Sequence, residues 1–218
     1  MRRLRPLLPI FLVFLSGCAM AAVAAYKIAG PPDVPAKFVP AKVATLLMVE
    51  NYRHQSTVNA QAETLARQLA DDLEAHNVVP LIPIEKLQEL RDARPKEFPT
   101  MTVAQIAHEL GAEQVIYVEL RSADVTPMAG GVGYMGEATA TVKVIDGIRG
   151  ETIWPVDQTE GYGIVAATKM GSTNYPTPAD VRNVLYAQMT DQISKLFHKW
   201  KPEYEGSEKW TPESTKSN

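Results

Sequence analysis

The chain has 218 residues, of which 45% are apolar and 22% charged, the balance of an ordinary globular protein, which excludes a disordered polymer and a multi-span membrane protein for its bulk. The formal charge is −3, and without Arg2, Arg3 and Arg5 of the leader the remaining 19 basic residues face 25 acidic ones, a balance of −6 that leaves no footprint for nucleic acid. The single cysteine, Cys18, excludes an internal disulfide framework and a cysteine-built metal site.

The first element is the leader. Three arginines precede the apolar run LLPIFLVFL at residues 7–15, the basic start and short hydrophobic stretch of a secretory signal peptide. The following Leu15-Ser16-Gly17-Cys18 resembles the lipobox of bacterial lipoproteins. That resemblance implies cleavage after residue 17 and lipidation of Cys18, with palmitate among the acyl groups, so that the mature chain holds the membrane through a lipid anchor. The alternative is an uncleaved anchor, because residues 6–26 carry no charge and are long enough to span a bilayer. Either way the arginines stay inside and the domain lies outside the cytoplasm. Ala19, in place of an aspartate after the cysteine, resembles the pattern of lipoproteins sent to the outer rather than the inner membrane.

Residues 18–40 form the lipidated N-terminus and a tether whose prolines, in GPPDVPAKFVP, forbid a continuous helix. A single α/β domain is expected over residues 41–201. Its first strand is KVATLLMVE at 42–50, apolar on both faces. Ser56 or Thr57 caps a helix with Val58, Ala62, Leu65, Leu69 and Leu73 on one stripe, ending near His76 and Asn77. Residues 78–82 read as a second strand and residues 84–91 as a short helix. Thr102 opens another helix, which Gly111 terminates in a left-handed conformation. Residues 114–120 (QVIYVEL) are a third strand, and residues 137–146 a fourth that alternates apolar Ala138, Ala140, Val142 and Val144 with polar neighbours. Residues 146–150 (DGIRG) turn the chain back into an antiparallel partner beginning at Glu151. Thr177 caps the last helix, with Pro178 in its first turn, Asp180 near its positive end, and Val181, Leu185, Met189, Ile193, Leu196 and Trp200 on its apolar stripe as far as Lys201 and Pro202. Residues 202–218 read as a polar, disordered tail. The order implies a mixed sheet of about five strands with helices mainly on one face.

The strand VATLLMV, the helix LARQLADDLEAHNVV, the Leu110-Gly111-Ala112 step into QVIYVEL and the hairpin VKVIDGIRGETIW together resemble the periplasmic domain family shared by the curli secretion lipoprotein CsgG, the penicillin-binding-protein activator LpoB and the N-terminal domain of TolB. The resemblance covers residues 42–200 and implies an α/β sandwich with a role in envelope assemblies. It transfers no catalytic residue. Membrane hairpins for a pore would have to come from residues 126–160, which are too short and too polar for two.

Reactive constellations are sparse. His54, His76, His108 and His198 show no metal-ligand spacing, and the last three lie late in helices, where an imidazole complements the dipole; no metal, cofactor or small-molecule ligand is expected. The glycine-rich GGVGYMG at 130–136 leads into a strand and lacks the Lys-Ser/Thr of a phosphate loop, which leaves a connection or a partner-binding loop presenting Met128, Tyr134 and Met135. Ser16, Ser56, Ser122 and Ser172 lack a hydrolase elbow. Trp154, Tyr162, Tyr175 and Trp200 read as core and rim aromatics. One polar group stands out: Glu50, Asn51, Arg53 and His54 follow the first strand, where Glu119, Arg121 and Asp124 of the third can meet them. The expected function is a non-catalytic accessory or scaffold subunit binding an envelope protein, another copy of itself included. The alternative is an enzyme with a site at Glu50, His54 and Arg121.

Overall fold

A computed structural model of the chain describes residues 32–51, 60–131, 133–168 and 175–202. Residues 36–198 form one compact unit; residues 32–35 and 199–202 belong to another, in which Val34 and Trp200 exchange backbone hydrogen bonds of 2.8 and 3.1 Å and Asp33 pairs with Lys199 at 3.3 Å. The expected export leader, Cys18, His54, the expected caps Ser56 and Thr57, Ser172 and the tail beyond Pro202 lie outside the described residues.

Within the larger unit the elements are β1 (Thr45–Asn51), α1 (Ala60–Ala75), α2 (Ile84–Ala93), a 3-10 turn (Phe98–Thr100), α3 (Val103–Leu110), β2 (Gln114–Pro127), β3 (Tyr134–Asp146), β4 (Thr152–Trp154), β5 (Tyr162–Ala167) and α4 (Pro178–Ser194). The described strands make one mixed α/β sheet of five. β1 runs parallel to β2, β2 antiparallel to β3, and β4 and β5 pair one after the other along the remaining edge of β3.

Strand alternation divides the apolar side chains between two cores. Leu47, Val49, Ile116, Val118, Leu120, Ala138, Ala140, Val142, Val144, Ile164 and Ala166 face α1 and α4, whose stripes Leu65, Leu69, Leu73, Val181, Leu185, Met189 and Ile193 are buried against them. Leu46, Met48, Val115 and Ile145 face the opposite way, onto Leu87 of α2, Phe98, and Ile106 and Ala107 of α3. The two longer helices thus cover one face, and the shorter pair covers the part of the other that carries Leu46, Met48, Val115 and Ile145. This is why Leu46 to Val49 of β1 are apolar without a break while β3 alternates.

The helix signals act as expected. Thr102 and Gln105 close a reciprocal capping box on α3, and Gly111 ends it at φ 70°. Thr177 and Asp180 do the same for α4, with Pro178 in its first turn. α4 lies so close to the sheet that a methyl group on Gly136 would stand 2.6 Å from Val181 Cγ1.

Boundaries shift by up to three residues at β1, α2 and β3, and four departures from the sequence expectations are larger. Residues 78–82 contribute a single bridge, Leu81 to Thr45, because Pro80 and Pro83 have no N–H to extend a ladder. β2 continues past Leu120 to Pro127, through a register shift between Leu120 and Ser122, since the long β3 offers partners as far as Tyr134. The return strand is split into β4 and β5 after Trp154, where Pro155 follows. α4 ends at Ser194, not Pro202: the Leu196 carbonyl accepts from the N–H groups of Lys37 and Phe38 at 2.8 and 3.0 Å and is taken from the helix. Phe38, Tyr162 and Phe197 surround the Trp154 ring with centroids 5.8, 5.3 and 6.0 Å away, which places Trp154 and Tyr162 against the larger core. No described helix is long and apolar enough to cross a membrane.

Candidate functional site

Beyond the reach of α2 and α3, the face of the sheet that carries Leu46 and Met48 continues as a polar row. Glu50 follows those two at the same parity, and its register partner on β2 is Glu119. The Tyr117 hydroxyl donates to Glu50 Oε2 at 3.0 Å. Arg121, beside the register shift, meets Glu119 at 2.9 Å and Glu160 at 2.8 Å. The Thr141 hydroxyl, from β3, donates to Glu119 Oε2 at 3.4 Å, and the Ser122 and Thr139 hydroxyls share a bond of 2.7 Å.

Burial sets the electrostatics of this row. Removal from water pushes the Glu50 carboxyl above its ordinary value, and the Tyr117 hydrogen bond, the nearby Arg91 guanidinium and the neighbouring Glu119 charge modify that shift without reversing it. Tyr117 is held well above the usual phenol range, first by burial and then by the charge and hydrogen bond of Glu50. The phenol therefore keeps its proton and serves as a donor. Among the described contacts the Ser122 hydroxyl meets the Thr139 hydroxyl, which is not a base.

The sequence grouping is thus joined in part. Glu50 bonds to Tyr117, and Arg121 to Glu119, the register partner of Glu50, while His54 and Arg53, which would complete the group, lie outside the described residues. Asp124, past the register shift, pairs with Glu137 on β3. The chemistry on view is a set of cross-strand hydrogen bonds and ion pairs that fix β1, β2, β3 and the Glu160 segment to one another.

The glycine-rich segment closes the β2–β3 hairpin. Met128 N–H donates to the Gly133 carbonyl at 2.8 Å and Gly131 N–H to the Met128 carbonyl at 3.1 Å, with Gly130 and Gly131 at φ 92° and 70°. It leads into β3, as its sequence context required. A groove of about 340 Å³ lies between α1 and the segment entering α2, where Asp71, Glu74 and Glu85 stand beside Leu81 and Ile84; Arg67, also on its lining, lies 3.8 Å from Glu63.

A second cluster was not foreseen. Asp72 and His76 sit one turn apart at the end of α1, and His198, just past α4, stacks on His76 with centroids 4.0 Å apart and planes 8° apart. The His76 Nδ1 lies 2.9 Å from the Asp72 carbonyl and 3.4 Å from its carboxylate, and His198 Nε2 lies 3.1 Å from Ser194 Oγ. One ligand atom from each of Asp72, His76 and His198 falls within 4.8 Å of the other two. The i, i+4 spacing of Asp72 and His76 was the sequence signal for half of this group; nothing local connects either to residue 198.

No family model matches the chain, and neither does any curated protein. Its structure is similar to that of the lipoprotein GNA1162 from Neisseria meningitidis, at 10% identity and a TM-score of 0.46 over 70% of this chain and 98% of that one. It is also similar to the PelC dodecamer subunit from Paraburkholderia phytofirmans, at 13% identity and a TM-score of 0.41 over 78% and 97%. The LpoB C-terminal domain from Escherichia coli is similar at 17% identity and a TM-score of 0.36 over 59% and 83%. Bacterial lipoproteins are therefore among the solved structures that the chain resembles, at TM-scores that do not establish a shared family or a shared function.

Proposed function

We propose that this protein is an exported envelope lipoprotein, acylated at Cys18, whose single α/β domain acts on a proline-rich tether as a non-catalytic accessory subunit. Its partner is another envelope protein or a second copy of itself, and Ala19 assigns the anchor to the outer membrane. The observation that carries the binding part is the outer edge of the sheet. Among the described residues no strand pairs with the far side of β4 or β5, and the segment they share presents Ile153, Val156 and Val165 at 39, 88 and 58% exposure. An unpaired edge with exposed apolar side chains is a surface that soluble proteins normally blunt with charge; a partner supplies the missing cover.

Two measurements test this. Metabolic acyl labelling should mark the wild type and not Cys18→Ala; wild type without label, but still membrane-bound, would favour the uncleaved leader. Capture from detergent-solubilised membranes should recover a stoichiometric partner, and Val156→Glu with Val165→Lys should lose it while circular dichroism stays unchanged. Recovery of no partner, self included, sinks the scaffold reading.

A further inference from the structure

The stacked histidines bear on a function that the sheet edge does not. Two imidazoles and a carboxylate are the donor set preferred by zinc and its neighbours in the transition series, whereas magnesium and calcium take oxygen donors. Asp72 and His76 project from the same face of α1 because they are four residues apart. His198 comes from the turn after α4, which packs beside α1 over the same core. Three donors from two separate elements therefore converge on one point.

We propose that Asp72, His76 and His198 bind one divalent ion of the zinc class, and that the ion ties the end of α1 to the turn following α4. The distances permit it. A tetrahedral ion with bonds of about 2.0–2.2 Å has ligands about 3.4 Å apart, so donors within 4.8 Å of one another must close by little more than 1 Å. An ion lies in the plane of each imidazole that it binds, so one ring has to swing out of the parallel stack, exchanging a ring contact for a metal bond. Each ring already has one polar contact that limits its motion, the Asp72 carbonyl at His76 Nδ1 and the Ser194 hydroxyl at His198 Nε2. The His76 side chain is 45% exposed, which gives an ion its entry and leaves a fourth position for water.

The test uses the full chain in detergent, free of any histidine tag, stripped with a chelator and titrated with Zn²⁺ against a chromophoric competitor. One equivalent should bind, and the melting temperature should rise with Zn²⁺ but not with Mg²⁺. His76→Ala and His198→Ala should each weaken binding by at least the roughly 10- to 100-fold seen when a supporting group is lost, while His108→Ala, on α3, leaves it unchanged. Circular dichroism in chelator confirms that each variant is folded. A stoichiometry well below one, or Zn²⁺ binding by His76→Ala and His198→Ala equal to wild type, overturns the proposal.

Discussion

Gly136→Ala puts the packing of α4 on the sheet to a test in which even the sign is informative. The backbone at Gly136 has no positive φ, so alanine is conformationally allowed. In open space the change would stabilise the fold by about 0.4–1 kcal/mol through the unfolded chain. The added methyl, however, would stand 2.6 Å from Val181 Cγ1, 2.8 Å from the Asp124 carbonyl oxygen and 3.1 Å from Leu185 Cδ1. Carbon atoms rest at about 3.5–4.0 Å, so the start of α4 must retreat by about 1 Å. Val181 cannot turn aside, because a β-branched side chain in a helix has essentially one rotamer. The carbonyl belongs to the neighbouring strand and is fixed by the β2–β3 ladder. Overpacking of this kind costs about 1–3 kcal/mol, which for a domain of this size lowers the melting temperature by about 2–12 °C. Urea unfolding of wild type, Gly136→Ala, Val181→Ala and the double variant measures the coupling directly. The double variant should be more stable than the sum of the singles by at least about 0.5 kcal/mol. A Gly136→Ala protein as stable as wild type, or strict additivity in the cycle, would refute the placement of α4.

The matched control is Gly163→Ala on β5, where an added methyl meets nothing within 4 Å; it should stabilise by about 0.4–1 kcal/mol in the same urea assay, and a loss of stability would show that β5 is covered. Glu50→Gln tests the buried row by its pH dependence. Burial raises the folded carboxyl above its unfolded value, so the favourable contribution of the protonated form is complete below the unfolded pKa and is lost as pH rises through the folded one. The variant keeps an acceptor for Tyr117 and should gain on wild type as pH rises from about 4 toward neutrality. Parallel stability profiles for the two proteins would remove burial as the dominant cause. A Thr177→Ala protein should lose about 1 kcal/mol through its missing cap, read as a lower urea midpoint with an unchanged slope.

Much of the architecture was legible because it rests on local rules. The unbroken apolar run of β1 required cover on both faces, the alternation in β3 required one wet face, and Thr102, Gly111 and Thr177 marked helix ends by hydrogen bonds that each residue makes within its own turn. The errors fell where a distant partner decides. The charge pattern that begins at Arg121 reads as the end of a strand, yet β3 extends residues 121–127 into the ladder. The apolar stripe at Leu196 predicts more helix, yet the N–H groups of Lys37 and Phe38 claim its carbonyl.

The candidate sites divide in the same way. Sequence alone grouped Glu50 with Arg121 as residues at strand ends that can meet, and the parallel pairing of β1 and β2 puts those ends on one side; it also singled out Cys18 by the residues around it. It could not show that Glu50 bonds to Tyr117 and Arg121 to Glu119, since strand register is a property of two segments together. Nor could it bring His198 to His76 and Asp72. Their 122-residue separation in sequence carries no periodic signal, and only the packing of α1 beside α4 on a common core makes them neighbours.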